Sequence, residues 1–262
     1  MPSDPLTLAL EVAKEAGALL LDHLHRPLEI REKKRRADIV TAADAASEAL
    51  IVERLRREYP SATILAEESG AHHGGGTERW IVDPLDGTTN FAHGYPLFCV
   101  SIAYERSGEL LAGVVYAPEM NECFATERGA GARLNDAPVH VSTIPTLADA
   151  MTCTGFHPDD FERNGAQFAA VSHHAQAVRR DGSAALDLAY VACGRFDGFW
   201  EFDLHAWDVA AGTLLIREAG GRVTAVDGSG AALDAGSILA TNARIHDELM
   251  SALLLAAPPT GS

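Results

Sequence analysis

Two aspartates, a glycine and two threonines follow directly on an apolar run in Trp80-Ile81-Val82-Asp83-Pro84-Leu85-Asp86-Gly87-Thr88-Thr89-Asn90-Phe91. The carboxyl ends of strands are where α/β proteins build their sites. Pro84 removes a backbone donor and fixes a turn, which lets Asp83 and Asp86 converge and frees the Leu85 carbonyl to act as an oxygen ligand. Oxygen-only ligation suits Mg²⁺. Gly87 lets the chain approach a ligand closely, and the amides of Gly87 and Thr88 at a helix start form an anion pocket. Taken alone, the segment also reads as an Asp-Gly turn leading into a capped helix.

Further carboxylates come from distant segments. Glu67-Glu68 end the preceding predicted strand, and adjacent acids at a buried strand end are costly unless a cation balances them; a solvated strand end would carry them freely. Asp208 opens a predicted helix in His205-Ala206-Trp207-Asp208-Val209-Ala210-Ala211-Gly212, where the helix dipole favours an acid whatever its role. Glu201 lies in Phe199-Trp200-Glu201-Phe202, a setting that argues against full exposure. Arg179-Arg180 precede Gly182-Ser183-Ala184 and read equally as phosphate-facing groups or as a basic strand end in solvent.

The elements that must position these groups are legible from periodicity. Leu6, Ala9, Leu10, Ala13, Ala16 and Leu20 fall at helical spacing behind Asp4-Pro5. A second helix is predicted over 41–57, opened by a Thr41–Asp44 capping box and ended before Pro60; that cap gives Asp44 a structural job that competes with any part in a site. Short strands at 63–66 and 80–82 both end in carboxylates. Strands at 98–104 and 110–117 flank Ser107-Gly108 as a hairpin, and one at 123–126 extends the meander. Beyond it, strands at 150–154, 176–178, 198–201 and 222–226 alternate with helices at 159–173, 183–193, 206–219 and 243–255. The expected division is an α+β half over residues 1–140 carrying most of the acids and an α/β half over 141–262 carrying Asp208 and Glu201. The switch falls near 134–146, at the turn Asn135-Asp136-Ala137-Pro138.

Composition narrows the function classes. With 262 residues, 47% of them hydrophobic, the chain can bury a core without staples, and its formal net charge of −16 argues against nucleic acid or an anionic membrane as main partner. The basic run at 31–36 is short. No uninterrupted apolar stretch reaches about 18 residues, and Met1-Pro2-Ser3-Asp4-Pro5 lacks a secretory signal, so a cytoplasmic location is expected. Cys99, Cys123, Cys153 and Cys193 have no close pair, which suits reduced, buried thiols. His72-His73 and His173-His174 lack metal-ligand spacing and read as surface residues.

Ala66-Glu67-Glu68-Ser69, the 80–91 segment and Trp207 to Gly212 followed by Glu218-Ala219-Gly220-Gly221 together resemble the inositol monophosphatase family of lithium-sensitive, metal-dependent phosphatases. Ala37-Asp38-Ile39-Val40-Thr41-Ala42-Ala43-Asp44 and Gly182-Ser183-Ala184-Ala185 are secondary matches, so the resemblance spans nearly the whole chain. It implies a five-layered α-β-α-β-α sandwich, a homodimer, and two or three Mg²⁺ ions per subunit. By that likeness Glu67, Asp83 and the Leu85 carbonyl would hold the first ion, and Asp83, Asp86 and Asp208 the second; a third would touch Glu67 through water. Glu68 and Thr88 would orient the attacking water, and the amides of Gly87 and Thr88 would take phosphate oxygens. Asp86, Arg179, Gly182, Ser183, Ala184, Glu201 and Asp208 would line the substrate, Glu201 accepting hydrogen bonds from polyol hydroxyls. Lys33 with Lys34 beside it, Asp38 and Asp44 would belong to a mobile loop, where Ala43 and the basic run depart from the family pattern. The implied substrate is a small phosphorylated polyol or sugar, myo-inositol 1-phosphate first. Fructose 1,6-bisphosphate, histidinol phosphate or a nucleotide bisphosphate are the enzymatic alternatives, and a regulatory interaction scaffold is the non-enzymatic one.

Overall fold

The predicted first helix forms because Leu8, Ala9, Val12, Ala13, Ala16 and Leu20 recur in steps of three and four, and all are buried on one face of α1 (Pro5–Leu24). The structure, a computed structural model, describes residues 3–24, 30–32, 39–230, 233 and 236–256. Lys33, Lys34 and Asp38 lie outside them. Strands β1 (Ile30–Glu32) and β2 (Ile39–Thr41) pair antiparallel ahead of α2 (Ala42–Glu58). The expected cap is present: Ala43 N donates to Thr41 Oγ1 at 3.1 Å and Thr41 N to Asp44 Oδ2 at 2.8 Å.

The chain then builds β3 (Thr63–Ala66), β4 (Gly70–His72), β5 (Glu78–Asp86), the short α3 (Thr88–Ala92), β6 (Cys99–Arg106), β7 (Glu109–Ala117), β8 (Glu122–Glu127), β9 (Ala132–Leu134) and β10 (Ala137–Val139). These strands form one sheet in the order β10-β9-β8-β7-β6-β5-β3-β4. Asn135 and Asp136, both at positive φ, make the tip of the β9–β10 hairpin within it. The remainder comprises β11 (Met151–Thr154), α4 (Phe161–His174), β12 (Ala177–Arg179), α5 (Ala184–Ala192), β13 (Gly198–Phe202), α6 (Ala206–Glu218), β14 (Arg222–Thr224), β15 (Ser237–Thr241) and α7 (His246–Leu255). Its strands form a second sheet, β12-β11-β13-β15-β14.

Period-two alternation assembles the layers. In β6, Val100, Ile102 and Tyr104 pack with α1 and α2, while Cys99 and Ala103 face the opposite way, into the cluster built on α5 and α6. Phe199 meets that middle layer, whereas Trp200, Leu239, Leu249 and Leu253 form a third cluster with α7 and Val171 of α4. The order is α1/α2, first sheet, α5/α6, second sheet, α4/α7, the five-layered α/β sandwich the family resemblance implies. No described helix is long and apolar enough to cross a membrane.

Several bounds differ from the sequence reading. Strand β5 continues past 82 to Asp86, because Pro84 falls where the β5–β6 register shifts between Asp83 and Asp86 and no ladder donor is lost. Helix α7 starts at His246 rather than 243, since Ala243 is left-handed at φ 69°. Strands β1, β2, β4, β9, β10 and β15 were not expected. The four cysteines are free, and all but the half-buried Cys193 are buried.

The passage between sheets is anchored by Asp197, which is buried just before β13. Its Oδ2 accepts from Met151 N at 2.6 Å and its Oδ1 from the Ser142 hydroxyl, while its carbonyl accepts from Asn242 N at 2.9 Å. Asp197→Ala leaves Met151 N and the Ser142 hydroxyl without their charged acceptor, so unfolding in urea should show a loss of about 2 kcal/mol or more. An unchanged midpoint would mean that water replaces the carboxylate at no cost.

Candidate active site

Parallel pairing of β3 with β5 places Ala66 beside Val82, and one further step along that register sets Glu67 beside Asp83. The charges of Glu67, Asp86 and Asp208 all bear on Asp83, which is 2% exposed. Burial first, then those three carboxylates, pushes the Asp83 carboxyl well above the usual carboxylate range; a bond from Leu85 N to Asp83 Oδ1 at 3.0 Å only partly opposes this. Burial likewise raises Asp86 to about 6. The Asp86 bonds fall on Oδ2, from Ser183 Oγ and Ala185 N at 2.7 Å each and from the Cys99 thiol at 3.7 Å, so Oδ1 is left for another partner among the described residues. The middle layer thus reaches across to the first sheet: α5 fixes Asp86 from its N-terminus, and α6 supplies Asp208 from its first turn. Ser101 Oγ of β6 donates to Trp207 O at 3.3 Å and ties α6 down beside it.

Helix α2 presents a polar stripe to the same place. Asp44, Ser47 and Glu48, one turn of helix apart, are all buried. Ser47 Oγ donates to Pro84 O at 2.8 Å, and Glu48 Oε2 accepts from Glu68 N at 2.8 Å. The Thr88 hydroxyl lies between Asp44 Oδ1 at 3.0 Å and Leu85 O at 3.1 Å. Asp44 makes the expected cap through Oδ2 and also takes the Thr88 hydroxyl on Oδ1. Burial raises its pKa. Glu48 escaped the sequence reading, although its place four residues after Asp44 on an otherwise apolar helix face was an available signal.

Gly87 precedes α3 at φ 87°, a left-handed conformation, and a Cβ there would fall 2.8 Å from Leu97 O. Asn90 Nδ2 bridges Leu97 O at 2.7 Å and Asp181 O at 2.8 Å, holding the 181–183 loop against α3. Gly182, Ser183 and Ala184 follow in that loop and at the start of α5. Glu201 is half-buried, and burial with the charges of Asp208 and Asp86 drives its carboxyl well above the usual range. Of the arginine pair, Arg180 is the member whose charge reaches Glu201; Arg179 is exposed, donates to Val178 O at 3.3 Å and acts on Asp181. His205 stacks on Trp207 with ring centroids 4.7 Å apart, and Asp208 raises its pKa. His73, His173 and His174 are exposed, whereas the half-buried His72 bonds with Arg56 and Ser69. A separate group, Cys153, Asp181 and Asp187, brings potential ligand atoms within 4.8 Å of one another.

The donor set Glu67, Asp83, Leu85 carbonyl, Asp86 and Asp208 is all oxygen, and the strongest charges acting on Asp83 are carboxylates. That chemistry fits a hard divalent cation.

A family model described as "Inositol monophosphatase family" matches residues 2–257. An inositol-1-monophosphatase from Synechocystis is 46% identical, the match covering 96% of this chain and 90% of that protein. The Nus factor SuhB of Pseudomonas aeruginosa is 41% identical over 97% of both. A solved inositol monophosphatase from Anabaena superposes with a TM-score of 0.87 at 46% identity, covering 97% of this chain and 96% of that one.

Metal binding should stabilise the chain in a pH-dependent way. Asp86 titrates at about 6 in the fold against about 3.9 unfolded, so between those values the native state holds more protons and metal-free stability falls as pH rises. A divalent cation cancels that loss. The rise in Tm from EDTA to saturating Mg²⁺ should be larger near pH 7.5 than near about pH 5; an equal or smaller rise at the higher pH would contradict the buried-carboxylate account.

Proposed function

The chain belongs to the inositol monophosphatase family, and from that premise we propose that it hydrolyses a small phosphomonoester, myo-inositol 1-phosphate first, with Mg²⁺ held by Glu67, Asp83, the Leu85 carbonyl, Asp86 and Asp208. The convergence of Glu67, Asp86 and Asp208 on buried Asp83 is the observation that carries this reading. When bound, the cations neutralise charge on the phosphoryl group and on the departing alkoxide and lower the pKa of water.

The chain's own residues supply the geometry. The Thr88 hydroxyl hydrogen is engaged by Asp44 or Leu85 O, so its oxygen is left to accept a hydrogen bond from the attacking water. Glu68, its backbone fixed by Glu48, takes the proton as water attacks phosphorus. The Gly87 and Thr88 amides receive phosphate oxygens. Ser183 and Ala185 N lock the Asp86 rotamer by claiming Oδ2, which keeps Oδ1 aimed elsewhere. Glu201 accepts hydrogen bonds from hydroxyls of the leaving group; cations on Asp86 and Asp208 would relieve the repulsion that raises its pKa. The same reading carries a homodimer, lithium sensitivity and a cytoplasmic setting. A protein-interaction role rests on the name Nus factor borne by relatives such as the Pseudomonas protein, and it is compatible with hydrolysis.

Asp83→Asn, Asp86→Asn and Asp208→Asn should each abolish Mg²⁺-dependent phosphate release while the protein still folds, and millimolar Li⁺ should inhibit the wild type. Near-wild-type turnover of all three variants at saturating Mg²⁺ would remove the proposed cage; a flat Li⁺ titration would remove only the lithium claim. Glu201→Gln should lower kcat/KM for inositol 1-phosphate by about 1.5 to 3 kcal/mol, the scale of a hydrogen bond involving a charged group. Turnover of 4-nitrophenyl phosphate, which has no hydroxyls to offer, should change little. Equal losses on both esters would place Glu201 in support of the fold or the metals instead.

A further inference from the structure

Gly155 follows directly on β11, whose parallel register with β13 pairs Cys153 with Phe199 and Thr154 with Trp200. One more step sets Gly155 beside Glu201 with their side-chain directions on the same face of the sheet. A Cβ at Gly155 would fall 2.5 Å from Glu201 Oε1 and 2.6 Å from its Cδ, with Oε2 nearer still. The Glu201 carboxylate therefore occupies the space a side chain at position 155 would fill. We propose that Gly155 is a specificity-determining positioning residue, whose missing side chain lets the Glu201 carboxylate lie across β11 and meet the hydroxyls of a polyol phosphate. This rests on the reading of Glu201 given above and extends it to the residue that sets where Glu201 points.

Two ordinary reasons for a glycine are absent here. Its φ lies outside the left-handed region that side chains avoid, so alanine fits the backbone. The three atoms nearest to such a Cβ all belong to the end of the Glu201 side chain and none to backbone. The backbone around Gly155 is also held on both sides. Thr154 Oγ1 donates to Trp200 O at 2.6 Å, fastening the preceding residue to β13. The Phe156 carbonyl accepts from Arg180 Nη2 at 2.5 Å, and the Arg180 guanidinium stacks 4.6 Å from the Phe156 ring centroid. An added Cβ cannot be absorbed by sliding the strand, so the carboxylate must swing out of its place. No hydrogen bond to another described side chain pins Glu201 where it lies, which leaves the empty position beside it as the feature that admits this conformation.

The test is a double-mutant cycle of Gly155→Ala and Glu201→Ala, read as kcat/KM on inositol 1-phosphate and on 4-nitrophenyl phosphate with saturating Mg²⁺, with the urea midpoint of each variant as control. Gly155→Ala should lower kcat/KM on inositol 1-phosphate at least about tenfold, the scale of a hydrogen bond to a charged group. The aryl ester should stay within about twofold and the urea midpoint near the wild-type value. In the Glu201→Ala background, where no carboxylate remains to be displaced, Gly155→Ala should change neither ester further. Losses that add across the cycle, equal losses on both esters from Gly155→Ala alone, or a silent Gly155→Ala beside a Glu201→Ala that damages only inositol 1-phosphate turnover would overturn the role of Gly155 and leave that of Glu201 standing. A silent Glu201→Ala would overturn both.

Discussion

Carboxylates that cannot all be charged together, held where water cannot screen them, govern the arrangement around Asp83. Each of Glu67, Asp86 and Asp208 opposes its ionisation, and desolvation makes the opposition stronger than it would be at a surface. A fold that selects this arrangement must hold the acids by means other than attraction between them. Three such means are visible: parallel pairing that sets Glu67 beside Asp83, two donors that fasten one oxygen of Asp86, and the first turn of α6, where the Asp208 carboxylate accepts from His205 N at 2.7 Å. The acids are placed by backbone and neutral donors, and the missing positive charge is left for a ligand to bring.

That division explains the supporting shell. Several contacts around the acids and the 84–88 segment come from another element: Ser47 on the Pro84 carbonyl, Asp44 on Thr88, Glu48 on the Glu68 amide, Asn90 on the loop that carries Ser183. Helix α2 spends buried positions on these polar contacts and recovers its own cap through the same Asp44. Removing any one would free a segment carrying proposed ligands rather than remove a ligand, so such effects should be felt as loosened geometry.

Much of this was legible in the sequence because the informative signals are local. The strand end at 66, the Thr41–Asp44 cap, the α6 start and the glycine before α3 are each announced by neighbouring residues. What stayed hidden depends on distant pairing. The continuation of β5 through Pro84 is unreadable from a proline, which argues against a strand until a register shift is known to excuse it. Strand β15 is five residues with no turn pair to announce it, and it forms because β13 and β14 flank it on either side. Glu48 reads as an exposed helix acid until the Glu68 amide is found 2.8 Å away. The acids stand out in the sequence and the groups that hold them largely do not, since an acid is marked by its own chemistry and its holder only by a distant neighbour.

The two sheets also separate two tasks. Glu67, Asp83, Asp86 and Thr88 come from the first sheet and its α3 extension, together with the cation chemistry they support, whereas Glu201 and Gly155 come from the second. The middle helices join them: α5 fastens Asp86 and α6 delivers Asp208, so neither sheet alone assembles the site. Changes on β11 and β13 need not move Glu67 or Asp83, because the β11–β13 register and the β3–β5 register are set by separate ladders. In such an architecture the segment carrying Glu201 can vary independently of the segment carrying Asp83, because no backbone ladder joins them.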